Sequence, residues 1–179
     1  MPPFQSLTWT LSGNLQANLT TIGVMRRVAH ARALDPNVRQ KAVSILNAYN
    51  VKSNDYVNEA YAIGDWVKTH IPYVKDAANA EQLFDPVMLL DQERRGEARG
   101  DCDDMSMLIA TLLLSIGHNP YFRAIRYSNN SGPYSHIYVV CYEKTANGID
   151  EERVVLDAII KDKPIGYEIP QQSGDEYQV

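Results

Sequence analysis

The sequence predicts an α+β fold in which one helix, covered on most sides, packs against an antiparallel sheet. Three observations predict it. Helical apolar spacing dominates the first part of the chain, and strand patterning follows Gly117. Met105–Ile116 is apolar all round, as in a buried helix, and not along one stripe. Asn147-Gly148 separates two β-rich runs and is a strong hairpin signal.

Leu19, Ile22, Val28 and Ala29 mark a first helix. Asp35-Pro36 reads as an N-cap followed by proline at the first helical position, and Val38, Ala42, Ile45 and Leu46 carry that helix to about Tyr49. After a break at Asn50–Asn54, Tyr56, Ala60, Ile63 and Val67 form a third stripe, which Pro72 closes soon after His70. Ile71–Arg99 reads as a winding connection with a short helix. From Asp101 the buried helix runs on Met105, Leu108, Ile109, Leu112, Leu113 and Ile116, with Met107, Ala110 and Leu114 on its other faces; Gly117 ends it. Three strands follow: Tyr121–Tyr127, His136–Glu143 and Arg153–Ile159, the first two joined by a turn at Asn129–Pro133. The tail after Lys161, with Pro164, Gly166 and Pro170, reads as irregular and wrapping the domain.

The chain has 179 residues and a net charge of −5, which gives no basic patch for nucleic acid and a poor ligand for anionic membrane. No apolar run reaches the ~20 residues of a membrane span. The N-terminus lacks the basic and apolar regions of a signal peptide, so a cytoplasmic protein is expected. The two cysteines, Cys102 and Cys141, make neither a disulfide framework nor a Cys-rich zinc site.

Chemistry gathers at Gly100-Asp101-Cys102-Asp103-Asp104. Asp101 can cap the buried helix, with Asp104 in the capping-box position. Cys102 then stands in the first turn, where free N–H groups and the helix dipole favour a thiolate. Asp103 opposes this, because a nearby negative charge disfavours the thiolate. A histidine partner is therefore expected. Alternation puts His136, Tyr138, Val140 and Tyr142 on one strand face and Ile137, Val139 and Cys141 on the other. A two-residue Asn147-Gly148 turn sets Asp157 opposite Tyr138, on the face of His136 and one diagonal step away. A slip by one residue would separate the pair. A nucleophile, a base and an orienting acid thus stand in the order Cys, His, Asp.

These residues carry a family resemblance. Arg99-Gly100-Asp101-Cys102-Asp103-Asp104, the apolar helix, Gly117 with Pro120 and Arg123, His136 opening a strand, Leu156-Asp157-Ala158, and the upstream Ile71-Pro72-Tyr73-Val74-Lys75-Asp76 together resemble the transglutaminase-like superfamily. The match runs from about Asp55 to Pro170. It implies a papain-like catalytic domain over 55–179, with 1–54 as a helical extension packing on it. By resemblance, Cys102 is the nucleophile, His136 the general base and acid, and Asp157 the orienter. The reaction implied is thiol attack on an amide or ester carbonyl of a protein or peptide, through an acyl-enzyme. Water makes the protein a peptidase or amidase; an amine makes it a transglutaminase. Small members also resemble proteins encoded by phage and prophage, where a non-catalytic assembly role is the alternative. Many members have Trp two residues after the His, where this chain has Tyr138. The Cys102 backbone N–H is the expected first oxyanion donor, with Tyr73 and Gln92 as further candidates in the cleft.

Other residues read more plainly. Cys141 is expected in the core. His30, His70 and His118 show no partner pattern. Asp103 and Asp104 complement the helix N-terminus, so no metal or other cofactor is expected. Glu93–Arg99 reads as a solvated loop, and Trp66 and Trp9 as core or docking residues.

Overall fold

The computed structural model describes residues 6–10, 14–76, 80–127, 132–145, 148–170 and 173–179. It is a mixed α+β fold with five helices and two antiparallel sheets among those residues. Helix α1 (Leu15–Ala33) starts at the Asn14 cap, and α2 (Pro36–Ala48) at the Asp35 cap with Pro36 in its first turn. Asn50, at φ 54°, leads the chain out of α2 in a left-handed conformation that Asn tolerates well. Helix α3 (Tyr56–His70) and the short α4 (Pro86–Arg94) precede α5 (Cys102–Ser115).

Helix α5 is the hub. Met105, Met107, Leu108, Ile109, Ala110, Leu112 and Leu113 are all buried, so every face of it meets other protein. Residues Ile22, Met25 and Ala29 of α1, Val38, Ala42 and Ile45 of α2, and Ile63 and Val67 of α3 share one core with it. The last neighbour is the inner face of a four-stranded sheet of order β5-β4-β3-β6. Its strands are β3 (Tyr121–Arg126), β4 (His136–Lys144), β5 (Glu151–Leu156) and β6 (Ser173–Gln178). Ile137, Val139, Cys141, Val154 and Leu156 point into the core; Ile125, Tyr138, Val140 and Val155 form a smaller cluster on the outer face.

The β4–β5 register pairs Val139 with Leu156 and Tyr142 with Arg153, which is the register expected from the hairpin. Asn147 itself lies outside the described residues, as do positions 129–131 of the expected 129–133 turn and the Trp9 side chain. The third strand stops at Leu156, three residues short of expectation, so Asp157 stands just past its end.

Two parts of the expected architecture are corrected. The tail is not irregular throughout: after residue 170 it forms β6 along the edge of β3, with Arg123 opposite Glu176. The connection 71–99 holds, besides α4, strand β2 (Ala80–Phe84), which pairs with β1 (Ser6–Thr10). Neither β2 nor β6 alternates apolar and polar residues, so backbone pairing defines them more than a buried face does.

Candidate active site

The nucleophile candidate is held by short-range chemistry. Asp101 Oδ1 accepts from the N–H groups of Asp103 and Asp104, and Asp104 Oδ2 accepts from the Asp101 N–H at 3.3 Å, completing a capping box. Asp104 is fully buried and also accepts from the Phe84 N–H at 2.7 Å, which ties β2 to the start of α5. Burial and then Asp101 push the Asp104 carboxyl up to about 8, against the two N–H donors that favour its charge. Gly100 is required beside it: a Cβ there would lie 2.7 Å from Asp104 Cβ. The segment bearing Tyr73 runs alongside, with the Gly100 N–H donating to Pro72 O and the Val74 N–H to Gly100 O.

Cys102 is partly exposed, with its sulfur 3.3 Å from Asp103 Oδ1 and accepting a hydrogen bond from the Ile137 N–H. The lowered thiol pKa expected from the helix start is not what this geometry favours. Dense packing, then Asp103 and Asp101, push the thiol well above its usual range, and the Ile137 N–H offsets only part of this. The thiol is the resting form.

His136 opens β4 on the outer face, and its Nε2 lies 2.8 Å from Asp157 Oδ2. Both side chains are buried, and the other Asp157 oxygen accepts from the Ile159 N–H, which fixes the carboxylate. His136 Nδ1 is buried and makes no hydrogen bond among the described residues. The Cys102 sulfur is bonded to the N–H of Ile137, the residue next to His136, so α5 and β4 bring all three candidates to one end of the sheet.

The other candidates separate. Tyr138 packs against His136 at 5.6 Å between ring centroids, and its hydroxyl donates to Glu168 and accepts from Arg123. It therefore joins His136 to the tail. Partial burial, with the nearby charges of Asp101 and Asp103, raises the Tyr73 pKa. Gln92 lies on α4, where its carbonyl accepts from the N–H groups of Arg95 and Glu97. Asp101, Cys102 and Asp103 each offer a ligand atom within 4.8 Å of the others, so a cation could be held there, although Asp101 Oδ1 is already engaged in capping. A hollow of about 630 Å³ lies elsewhere, along α3 against Pro164 and Ile165, and contains none of these residues.

Two features escaped the sequence. Tyr127, at the end of β3, lays its ring parallel to His136, 6.2 Å between centroids and 4° between planes. His118, expected without a partner, is buried between two carboxylates: Nδ1 lies 2.7 Å from Glu143 and Nε2 3.1 Å from Glu59. Only the strand-face parity of Tyr127 with His136 was there to be read; nothing local links His118 to acids 25 and 59 residues away.

No protein-family model matches the sequence, and no curated protein does. Among solved structures, the chain is similar to a crystal structure from Cytophaga hutchinsonii described as a candidate cysteine protease, at 12% identity and a TM-score of 0.45. The match covers 79% of this chain and 50% of that one, so this chain spans about half the length of the structure it matches. A likeness of that degree carries no argument, and the functional reading rests on the geometry of the site.

Proposed function

We propose that the chain is a cysteine hydrolase of papain-like, transglutaminase-like design, acting on an amide or ester carbonyl of a protein or peptide. The observation that carries this reading is the division between the two ring nitrogens of His136. Asp157 accepts from Nε2, which fixes the tautomer and leaves Nδ1 with a lone pair. Nδ1 is buried without a partner, and the Cys102 sulfur accepts from the amide of the next residue along the strand, Ile137. That is the arrangement a general base needs.

In this mechanism the Cys102 proton passes to His136 Nδ1, and Asp157 stabilises the resulting imidazolium. The sulfur attacks the carbonyl carbon to give a tetrahedral oxyanion. The Cys102 backbone N–H, free in the first turn of α5, faces that charge, with Tyr73 and Gln92 as proposed further donors. The intermediate collapses as Nδ1–H protonates the leaving amine or alcohol, leaving a thioester. Water gives its proton to Nδ1 and attacks the thioester, releasing the acid and restoring the thiol. A primary amine in place of water makes the same site an acyl-transferase.

One observation favours a second reading, a non-catalytic binding or assembly protein. The thiol is pushed up by its surroundings and lies against Asp103. Alkylation by iodoacetamide across pH separates the two, with buried Cys141 as internal control. A hydrolase labels at Cys102 first near neutral pH, and His136→Ala weakens that labelling. Equal, slow labelling of both cysteines sinks the catalytic reading. Turnover of p-nitrophenyl acetate, lost in Cys102→Ala, with and without an added primary amine, then sorts hydrolysis from transfer.

A further inference from the structure

Helix α1 carries no acidic residue, in a chain whose net charge is −5. Its outer face lines a hollow of about 570 Å³ with Gly23, Arg26, Arg27, His30, Ala31 and Leu34, which recur at the three- and four-residue spacing of one helical face. Arg32, the remaining arginine of the helix, is buried against Asp85. Arg26, Arg27 and His30 are exposed and have no hydrogen-bond or ion-pair partner among the described residues. Leu34 closes the row at 84% exposed. The opposite pattern stands at the start of β5. Ile149 is 85% exposed, and Asp150, Glu151 and Glu152 follow it, all exposed. Lys144, across from Glu151, offsets one of these acids, and Glu152 also accepts from the Tyr61 hydroxyl. Leu34 and Ile149 are the two most exposed large hydrophobic side chains among the described residues.

We infer that these two surfaces fit each other between copies of this chain: the Ile149–Glu152 tip of one copy seats in the α1 hollow of the next. Each feature alone is ordinary, because single exposed hydrophobics and short charge runs are common on protein surfaces. The match between them selects the partner. An apolar residue beside a cationic row meets an apolar residue beside an acidic row, while hollow against hollow or tip against tip repels. A bare polyanion would satisfy the guanidinium groups but leave Leu34 in water. Within one copy the two surfaces have different neighbours: the tip lies against α3 through Tyr61, whereas α1 packs on α2, α4 and α5. Because the two patches differ, the contact is head-to-tail, and every added copy presents a further hollow or a further tip. The product is an open chain or a ring, not a closed two-fold dimer. A four-residue tip covers far less than the ~1,200 Å² of a stable complex, so each pairing is weak, with a Kd on the order of 0.1–1 mM. The contact does not depend on whether Cys102 is catalytic.

Sedimentation velocity of the full chain at low salt, up to about 1 mM, reads the association, and ¹⁵N chemical shifts locate it. The average sedimentation coefficient should rise with concentration, with shifts centred on α1 and on residues 149–152. It should return to the monomer value in about 0.5 M salt, which shortens the screening length to roughly 4 Å. Arg26→Glu with Arg27→Glu reverses the hollow; Glu151→Lys with Glu152→Lys reverses the tip. Each doubly substituted chain alone should associate more weakly by roughly tenfold or more. An equimolar mixture of the two should recover association, because the intact hollow of one meets the intact tip of the other. If circular dichroism shows that the reversed helix does not fold, Arg26→Gln with Arg27→Gln takes its place with the same expected weakening. A parent chain that stays monomeric at the highest concentration leaves the hollow to some other acidic partner and overturns the inference. Weakening by the hollow substitutions but not by the tip substitutions overturns it too, because the hollow would then receive a different surface of the copy. So does a mixture that fails to associate.

Discussion

At Cys102 two local effects compete, and the residues around it decide the winner. The first turn of α5 and the Ile137 N–H favour a thiolate; packing, Asp103 and Asp101 oppose it more strongly. Asp103 is the separable part of that opposition, because its carboxylate lies against the sulfur and is not the helix cap. Asp103→Asn should therefore lower the Cys102 pKa and raise alkylation at neutral pH by about threefold or more, as half a pKa unit requires. A competition assay against Cys141 reads this directly, and equal rates in both forms would mean that Asp103 does not set the thiol. At Asp104 the acceptor matters more than the charge. Asp104→Asn retains an oxygen for the Phe84 N–H, whereas Asp104→Ala leaves that donor unmatched and should cost about 1–3 kcal/mol in urea unfolding.

Elements differ in how much of themselves the sequence displays, and the reason is where their energy lies. Helix α5 was legible because burial on all faces leaves a continuous apolar run and because Asp101 and Asp104 write its start. The β4–β5 pairing was legible because Asn147-Gly148 marks the midpoint of the connection in the sequence and so sets which residues pair, and with it the common face of His136 and Asp157. β6 was not, since Ser173–Gln178 is an edge strand with half-exposed side chains. Its evidence is close backbone contact: a Cβ on Gly174 would lie 2.5 Å from Ala124 O. The clamp that joins α3 to β4 was equally hidden. Burial alone would lower the His118 pKa, but hydrogen bonds and charge from Glu143 and then Glu59 raise it; Cys141 beside Glu143 and the edge-on ring of Tyr56 complete its surroundings. Because the folded pKa is raised, the clamp contributes its full stability below the unfolded value of about 6.5 and loses it as pH rises through the folded pKa. His118→Gln should be destabilised by about 3 kcal/mol at pH 6, with a smaller gap to the parent above neutrality. A gap independent of pH in thermal melts would assign His118 a neutral packing role.

On the scale of the molecule, the question is whether the proposed division into a helical extension, 1–54, and a catalytic domain, 55–179, describes units that fold apart. The core argues against it. Helix α5 is covered on one side by the sheet and on others by α1 and α2, so the helix that carries Cys102 has no bare face to spare. Ile22, Met25, Val28, Val38 and Ile45 are each at most 8% exposed. Removing five such side chains, at roughly 1.5–3 kcal/mol each, forfeits on the order of 10 kcal/mol of apolar burial. That equals the whole net stability of an ordinary domain, about 5–15 kcal/mol. Polar ties would go as well: Arg32 with the buried Asp85 that caps α4, Arg39 with the Ser115 carbonyl at the end of α5, and Asn18 with the Tyr134 N–H. A chain beginning at Asp55 should therefore fail to give a cooperative melt and should elute as aggregate in size-exclusion chromatography. Co-expression of 1–54 as a separate piece should restore a soluble complex, because the lost surface is complementary and not covalently required. A cooperative, monodisperse 55–179 would instead make the first two helices a docking module on an independently folding domain.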